Sequence, residues 1–317
     1  MSTSGQNDPA KSAIVFALDE AFAPLGKGLV LSLRALGLPD DSTDLCLVDI
    51  GCGPATREWM AKQTCSIARF DESPLRLPPP PGGANYMKAL VCRPLIPRIF
   101  PGYAVYLHID SDCWVQKKDS LDITLATARN SPDRVALAPF LDFSYSFNYG
   151  SLQEENWLTF LSYFYDWYSV SYGKEVAELW KGRALFSAGV FAMSAQCPLW
   201  SAWAVELGKV HARDYTNHPV AFHVSEQTAL NNLIYSTGSY VPLEAIHNYN
   251  CHVGAVERDA ASGEVVIKYP PRRPVGIVHL SYSSKRMPSY IEQGLLWDRG
   301  SYLSEEEVAS LLQVGHY

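Results

Sequence analysis

The stretch Tyr106-Leu107-His108-Ile109-Asp110-Ser111-Asp112 decides how the rest of the chain reads. With Ala104 and Val105 its first half makes an apolar run of strand length, expected as a buried strand from Ala104 to Ile109. The run stops on two aspartates separated by one residue. In α/β sheets ligands collect at the carboxyl ends of strands, where the loops open. Two carboxylates at such a place point towards one spot, and they repel unless one takes a proton or a cation sits between them. Hard oxygen donors select Mg²⁺ or Mn²⁺, ions that keep open positions for diphosphate oxygens. The plain alternative is a solvated Asp-Ser-Asp turn, a common pattern; the apolar run directly before Asp110 makes chance less attractive and leaves the two readings level on these residues alone.

Working outward, strands and helices alternate. Ile14-Val15-Phe16-Ala17-Leu18 is a second buried-type run, followed by a helical stretch from about Gly28 to Leu36 that Gly37 and Pro39 end. Leu45 to Ile50 is a strand entering a Gly51-Cys52-Gly53-Pro54 turn, then a helix to about Lys62. After the stiff Pro78–Pro81 connector come a helix-rich segment from Asn85 to Phe100 and the strand that leads to Asp110. Strands follow at Val135–Ala138, Val190–Met193 and Gly276–Leu280, with a helix Glu226–Tyr235 expected to be capped by Ser225. A last helix opens on the capping box Ser304 to Glu307. This alternation predicts an α/β fold with a Rossmann-like, mixed but mostly parallel central sheet flanked by helices.

Composition narrows the function. A 317-residue chain with a net charge of −7 does not present the basic surface of a nucleic-acid binder, so no nucleic-acid partner is expected. An anionic substrate then needs local neutralisation by a metal or a few placed cations. Hydrophobic residues at 47% and charged ones at 19% suit a globular enzyme. The seven cysteines, Cys46, Cys52, Cys65, Cys92, Cys113, Cys197 and Cys251, are widely spaced and odd in number, which predicts free thiols and a cytoplasmic protein. Neither a signal peptide nor a transmembrane segment is read from the sequence. No compositional break divides the chain, so one domain over 1–317 is expected, with 1–11 a flexible N-terminus.

Several blocks in order resemble the GT-A glycosyltransferases, above all the glycogenin and lipopolysaccharide galactosyltransferase group. These are Ile14 to Phe22; Arg93-Pro94-Leu95-Ile96-Pro97 leading to Asp110-Ser111-Asp112; Ser187-Ala188-Gly189-Val190-Phe191; Ser225-Glu226-Gln227-Thr228-Ala229-Leu230-Asn231; and Ile277-Val278-His279-Leu280 with Lys285 beyond. The resemblance implies a GT-A fold, with 12–138 the nucleotide-binding half and 139–317 the acceptor-binding half. It implies transfer of a hexosyl group from a nucleotide-diphosphate sugar, a UDP-sugar by preference, to a hydroxyl of a sugar, lipid, protein or small-molecule acceptor, with retention. Asp110, Asp112 and His279 would hold Mn²⁺ or Mg²⁺. Ala17, Asp19, Phe22, Arg93, Asp110, Ser111, Ser187, Ala188, Gly189 and Lys285 would contact the nucleotide-sugar, and Gln227, Glu226 and Lys285 would serve catalysis. The chain departs from the family pattern at Ser187 (Asn is usual), at Glu226 (Asp is usual), at Tyr282 (Gly is expected) and at Arg286-Met287 (Pro-Trp is usual). These departures fall on acceptor positions more than on metal and nucleotide positions.

Each residue also has a bland reading: a core histidine for His279, a turn cap for Asp19, a surface cation for Lys285, helix-start chemistry for Glu226 and Gln227. The aromatic belt from Phe143 to Tyr172 reads as core, with a roof over an acceptor as the second reading. Two other functions compete. Val48-Asp49-Ile50-Gly51-Cys52-Gly53-Pro54-Ala55 looks like the first motif of S-adenosylmethionine methyltransferases, with Asp71 as the following acid. A non-catalytic GT-A-like binding protein is the third.

Overall fold

The apolar run at the start of the chain is β1 (Ser12–Asp19), and all eight of its residues are buried. A strand covered on both faces belongs in the middle of a parallel sheet. A computed structural model places it there and describes residues 11–70, 86–140 and 164–281. The other strands are β2 (Thr43–Gly51), β3 (Cys65–Arg69), β4 (Val105–Ile109), β5 (Cys113–Val115), β6 (Val135–Pro139), β7 (Phe186–Ser194), β8 (Tyr240–Pro242), β9 (Tyr249–Asn250), β10 (Val256–Arg258), β11 (Val265–Ile267) and β12 (Ile277–His279). Seven of them form one sheet in the order β3-β2-β1-β4-β7-β6-β8. Within it β7 runs against both of its neighbours, while the other pairings are parallel. The expected mixed, mostly parallel α/β sheet is what the chain forms.

Side-chain alternation along β1 sorts the core. Ala13, Val15 and Ala17 face a cluster with Tyr106, Phe191, Trp200 and Trp203. Ile14, Phe16 and Leu18 face the opposite one with Leu29, Leu33, Leu107, Leu121 and Val190. The first cluster lies under α4 (Leu199–His211) and α5 (Ser225–Thr237), and the second under α1 (Ala23–Ala35) and α3 (Lys118–Asn130), with α2 (Pro54–Lys62) between β2 and β3. A smaller sheet, β5-β12-β9, sits beside the large one, and β10 and β11 make a separate hairpin.

Two expectations shift. Helix α1 starts at Ala23, not near Gly28, because Pro24 opens its first turn. Gly26 then lies so close to β1 that a Cβ there would meet Leu18 Cδ1 at 2.6 Å. Ser225 is not the cap of α5: Val224 precedes the helix, and the Ser225 hydroxyl pairs instead with Nε2 of the buried His211 at 2.9 Å. Residues 1–10, the Pro78–Pro81 connector, Asp71, the aromatics from Phe143 to Tyr163, Lys285, Tyr282, Arg286, Met287 and the Ser304–Glu307 box lie outside the described residues. All seven cysteines are free and buried. Among the described residues no helix is long and apolar enough to cross a membrane.

The start of β7 is tied to α5 by one side chain. Asn231, fully buried, accepts from the Phe186 amide and donates to the Phe186 carbonyl, both at 2.8 Å, and donates to the Gln227 carbonyl at 2.8 Å. Leucine at this position leaves buried backbone groups unpaired. Asn231→Leu is therefore expected to cost about 3 kcal/mol, read as a fall in the urea midpoint; an unchanged midpoint would contradict the clamp.

Candidate functional site

Chain order fixes where the large sheet opens. From β1 the chain moves to β2 and β3 on one side and to β4 on the other, so the topological switch point lies between β1 and β4, outside their carboxyl ends. The β1–β4 register stops at Val15 opposite His108. Continued, it brings Ala17 level with Asp110. Strand β7 starts at the same end, with Val190 opposite Ile109 and the Asp110 amide donating to the Gly189 carbonyl at 2.7 Å.

Arg93 lies beneath the end of β4. It occupies a short 3₁₀ turn, Arg93–Leu95, its side chain 6% exposed, and forms ion pairs with Asp110 Oδ1 and Glu226 Oε1. His108 completes the group, with Nε2 3.0 Å from Asp110 Oδ1 and 3.2 Å from Arg93 Nε. One ring nitrogen serves only one of these neighbours at a time, and a proton on Nε2 suits the carboxylate. Burial works against charge throughout this group. At Asp110 the Arg93 guanidinium and the His108 bond outweigh burial and hold the carboxyl well below the usual range. At Arg93 the two carboxylates outweigh burial and raise the guanidinium above its ordinary value. Glu226 is pushed up by burial against the pull of Arg93, and His108 is pushed down by burial against the pull of Asp110.

The small sheet delivers the other wall. Strand β12 pairs antiparallel with β5, setting His279 opposite Cys113, and its backbone continues so that the Leu280 amide donates to the Asp112 carbonyl at 3.0 Å. His279 Nε2 lies 3.3 Å from Asp112 Oδ1 and 3.9 Å from Asp110 Oδ2. His279 Nε2 thus has a carboxylate oxygen on either side, a setting in which the ring nitrogen could ligate a divalent cation. The ring is prepared for that role: Nδ1 is 2.9 Å from the Oδ1 of buried Asn248, which as an acceptor keeps the proton on Nδ1 and the Nε2 lone pair free. Cys113 Sγ falls within 4.8 Å of the Asp112 and His279 donor atoms. Burial, then the charges of Asp112 and Asp110, raise its thiol well above the ordinary value, so the oxygen and imidazole donors fit a hard cation better than the sulfur does.

Gly189 makes the convergence possible. A Cβ there would collide with His279 Cε1 and stand 2.8 Å from Asp110 Oδ2. Ser187, 2% exposed, accepts from the Gly189 amide at 3.3 Å, and the Ala188 amide donates to Gln227 Oε1 at 3.0 Å. Thus the structure gathers Asp110, Asp112, His279, Arg93, Glu226, Gly189, Ala188, Ser187 and Gln227 around one sheet end, with Ser111 half-buried in the same turn. Glu226, which the resemblance would have serve catalysis, is 1% exposed and held on Arg93. Ala17, Asp19 and Phe22 lie at the end of β1, where Asp19 Oδ1 accepts from the Phe22 amide at 3.1 Å, the turn-capping role. His108 and Asn248 escaped the sequence reading. His108 was visible only as a polar residue inside an apolar run, and Asn248 carried no signal.

The Gly51–Gly53 turn is already filled. Asp49 Oδ1 accepts from the Gly51 and Cys52 amides at 2.9 and 2.7 Å. Glu20 accepts from the Gly53 amide and from Thr56 Oγ1, and a Cβ on Gly53 would meet Glu20 Oε2 at 2.9 Å. Two carboxylates thus occupy the amides that a cofactor would use, and the turn lies on β2, one strand away from the switch point.

Gly189→Ala is expected to lower divalent-cation affinity by roughly tenfold or more, because the added methyl must move His279 or Asp110 from ligand geometry. Calorimetric titration with Mn²⁺ reads this; unchanged affinity would show that the close approach is not required.

Sequence comparison gave no matching family model and no matching curated protein. Solved structures do share the architecture. A structure of WbbM, described as a bifunctional glycosyltransferase, aligns at a TM-score of 0.53 and 15% identity, covering 99% of this chain and 53% of that one. The chain therefore spans about half the length of WbbM. The galactosyltransferase LgtC, solved with donor and acceptor sugar analogues, aligns at a TM-score of 0.51 and 15% identity over 94% of this chain and 100% of LgtC. An active-site mutant of LgtC aligns at 0.52 over 94% of both chains. Likeness at this identity is a likeness of fold: the chain has the GT-A fold, and the solved structures that share it here are glycosyltransferases.

Proposed function

We propose that the protein is a divalent-cation-dependent hexosyltransferase, moving a hexosyl group from a UDP-sugar to a hydroxyl acceptor with retention of anomeric configuration. The observation that carries this reading is that Asp110 Oδ2 and Asp112 Oδ1 both flank the lone-pair side of His279 at the switch point of a GT-A sheet. Residues 12–138 would form the nucleotide-binding half and 139–317 the acceptor-binding half.

These three side chains would hold Mn²⁺ or Mg²⁺. When bound, such an ion offsets the negative charge that gathers on a departing diphosphate. The chain's own residues account for the rest. Ala17, Asp19 and Phe22 would flank base and ribose, with Ser111 beside them. Arg93 keeps Asp110 ionised and fixes Oδ1, leaving Oδ2 to point towards the ligand. Glu226 works through Arg93, as the second carboxylate that keeps the guanidinium in place. Gln227 is anchored by its Oε1 on the Ala188 amide, so its Nε2 hydrogens are the part that can meet a sugar as its anomeric carbon becomes oxocarbenium-like. Ser187, Ala188 and Gly189 would line the sugar side, and Lys285 would neutralise the leaving diphosphate. Among the described residues no side chain stands out as a covalent nucleophile.

A thermal-shift screen of nucleotide-sugars with and without Mn²⁺ should show a rise in Tm that needs both. Asp112→Ala should keep the fold by circular dichroism and lose transfer by roughly 100-fold or more. Full transfer by Asp112→Ala, or stabilisation by S-adenosylmethionine in place of a nucleotide-sugar, would sink the reading.

A further inference from the structure

We propose that Asn248 is a positioning residue: its side-chain carbonyl fixes the tautomer of His279, and so the strength of cation binding, without adding charge to the site. This rests on the reading of Asp110, Asp112 and His279 as a cation site.

The amide is built into rigid surroundings. Asn248 follows the 3₁₀ turn Ala245–His247, its amide donating to the Ala245 carbonyl at 2.9 Å, and leads into β9, whose pairing with β12 sets Asn250 beside His279. Its side chain is fully buried, and Nδ2 has no hydrogen-bond partner among the described residues. Burying an amide hydrogen without a partner costs free energy, so the bond made by the other end, Oδ1 to His279 Nδ1 at 2.9 Å, is what the residue is placed for. An acceptor at Nδ1 requires a hydrogen there. The lone pair then belongs to Nε2, the atom turned to Asp112 and Asp110. The reversed amide would offer its hydrogens to Nδ1, moving the ring proton to Nε2, where it would bind Asp112 and close the site to a cation.

Carboxylates often take this role behind a ligating histidine, and they make the ring a stronger donor. Here Asp110 and Asp112 already stand beside the His279 ring, and Glu226 lies behind them on Arg93, which it shares with Asp110. A fourth carboxylate would raise cation affinity and also repel a diphosphate. A neutral carbonyl orients the ring and leaves the charge of the site as it is.

The test uses the whole chain with Mn²⁺ as the probe. Nitrogen-15 NMR of the histidine rings in metal-free protein, with His279→Gln to assign the signal, should show His279 protonated on Nδ1. Mn²⁺ titration followed by electron paramagnetic resonance should give a Kd raised roughly ten- to a hundredfold in Asn248→Leu. Asn248→Asp, nearly isosteric and able only to accept, should bind Mn²⁺ at least as tightly as the wild type and serve should the leucine variant not fold. Wild-type affinity in Asn248→Leu, an Asp variant that has lost Mn²⁺ binding, or a wild-type ring protonated on Nε2 overturns the proposal. Absence of Mn²⁺ binding by the wild type defeats the cation site itself, and this proposal with it, whereas normal binding in Asn248→Leu defeats only the role of Asn248.

Discussion

Arg93 is one buried guanidinium shared by two carboxylates that arrive from distant parts of the chain, Asp110 at the end of β4 and Glu226 in the first turn of α5. A buried charge with its partner removed costs several kcal/mol, so none of the three is tolerated in this place without the others. That mutual dependence locks a short turn, a strand end and a helix start into one arrangement. It also divides the labour of Asp110: Oδ1 is spent on Arg93 and His108, and Oδ2 is left facing His279. The direction in which the site looks is therefore set by ion pairing beneath it.

The opposite wall is a separate structure with its own logic. Strands β5, β12 and β9 make a small sheet whose aligned residues, Cys113, His279 and Asn250, share one face. Bringing that sheet against the large one demands missing side chains at the seams. Gly189 lets His279 approach the start of β7, and Gly276 sits where a Cβ would collide with Ser120 Oγ. Ser120 in turn pairs with His247 Nδ1 at 2.9 Å, which steadies the turn leading to Asn248. A site formed between two sheets gains donors from both, and its geometry is only as exact as this seam.

Much of the fold was legible because buried strands in a parallel sheet leave long apolar runs: β1, β2 and β4 each announce themselves this way. Boundaries set by three-dimensional contact were not. The early start of α1 depends on Gly26 fitting against Leu18, and the hydroxyl of Ser225 is claimed by His211, fourteen positions earlier, before it can cap a helix. In the site, Asp110 and Asp112 could be anticipated from a strand-end motif, and His279 and Gly189 only through the resemblance of the blocks that carry them. Glu226 could not be placed correctly, since whether a first-turn glutamate faces solvent or a buried arginine depends on Arg93, 133 residues away. Asn248 and His108 act through their neighbours, and a pairwise bond between remote residues leaves no mark in a local pattern.

The Gly51–Gly53 turn shows why topology has to outrank a local motif. On sequence, Val48 to Ala55 is a strand entering a glycine turn before a helix, the pattern that resembles a methyltransferase cofactor motif. Those amides form an anion-binding surface, and in this chain the anions are internal: Asp49 and Glu20 accept from them, and Arg57 pairs with Asp49 Oδ2 at 3.2 Å. The turn thereby ties the end of β1 to the start of α2. Because β1 is the strand that borders the switch point, closing the turn with Glu20 fixes the loop carrying Asp19 to Phe22, the residues at the open end of β1. A glycine turn one strand away from the crevice thus supports the crevice, and its motif-like spacing follows from the need to bring amides close to a carboxylate.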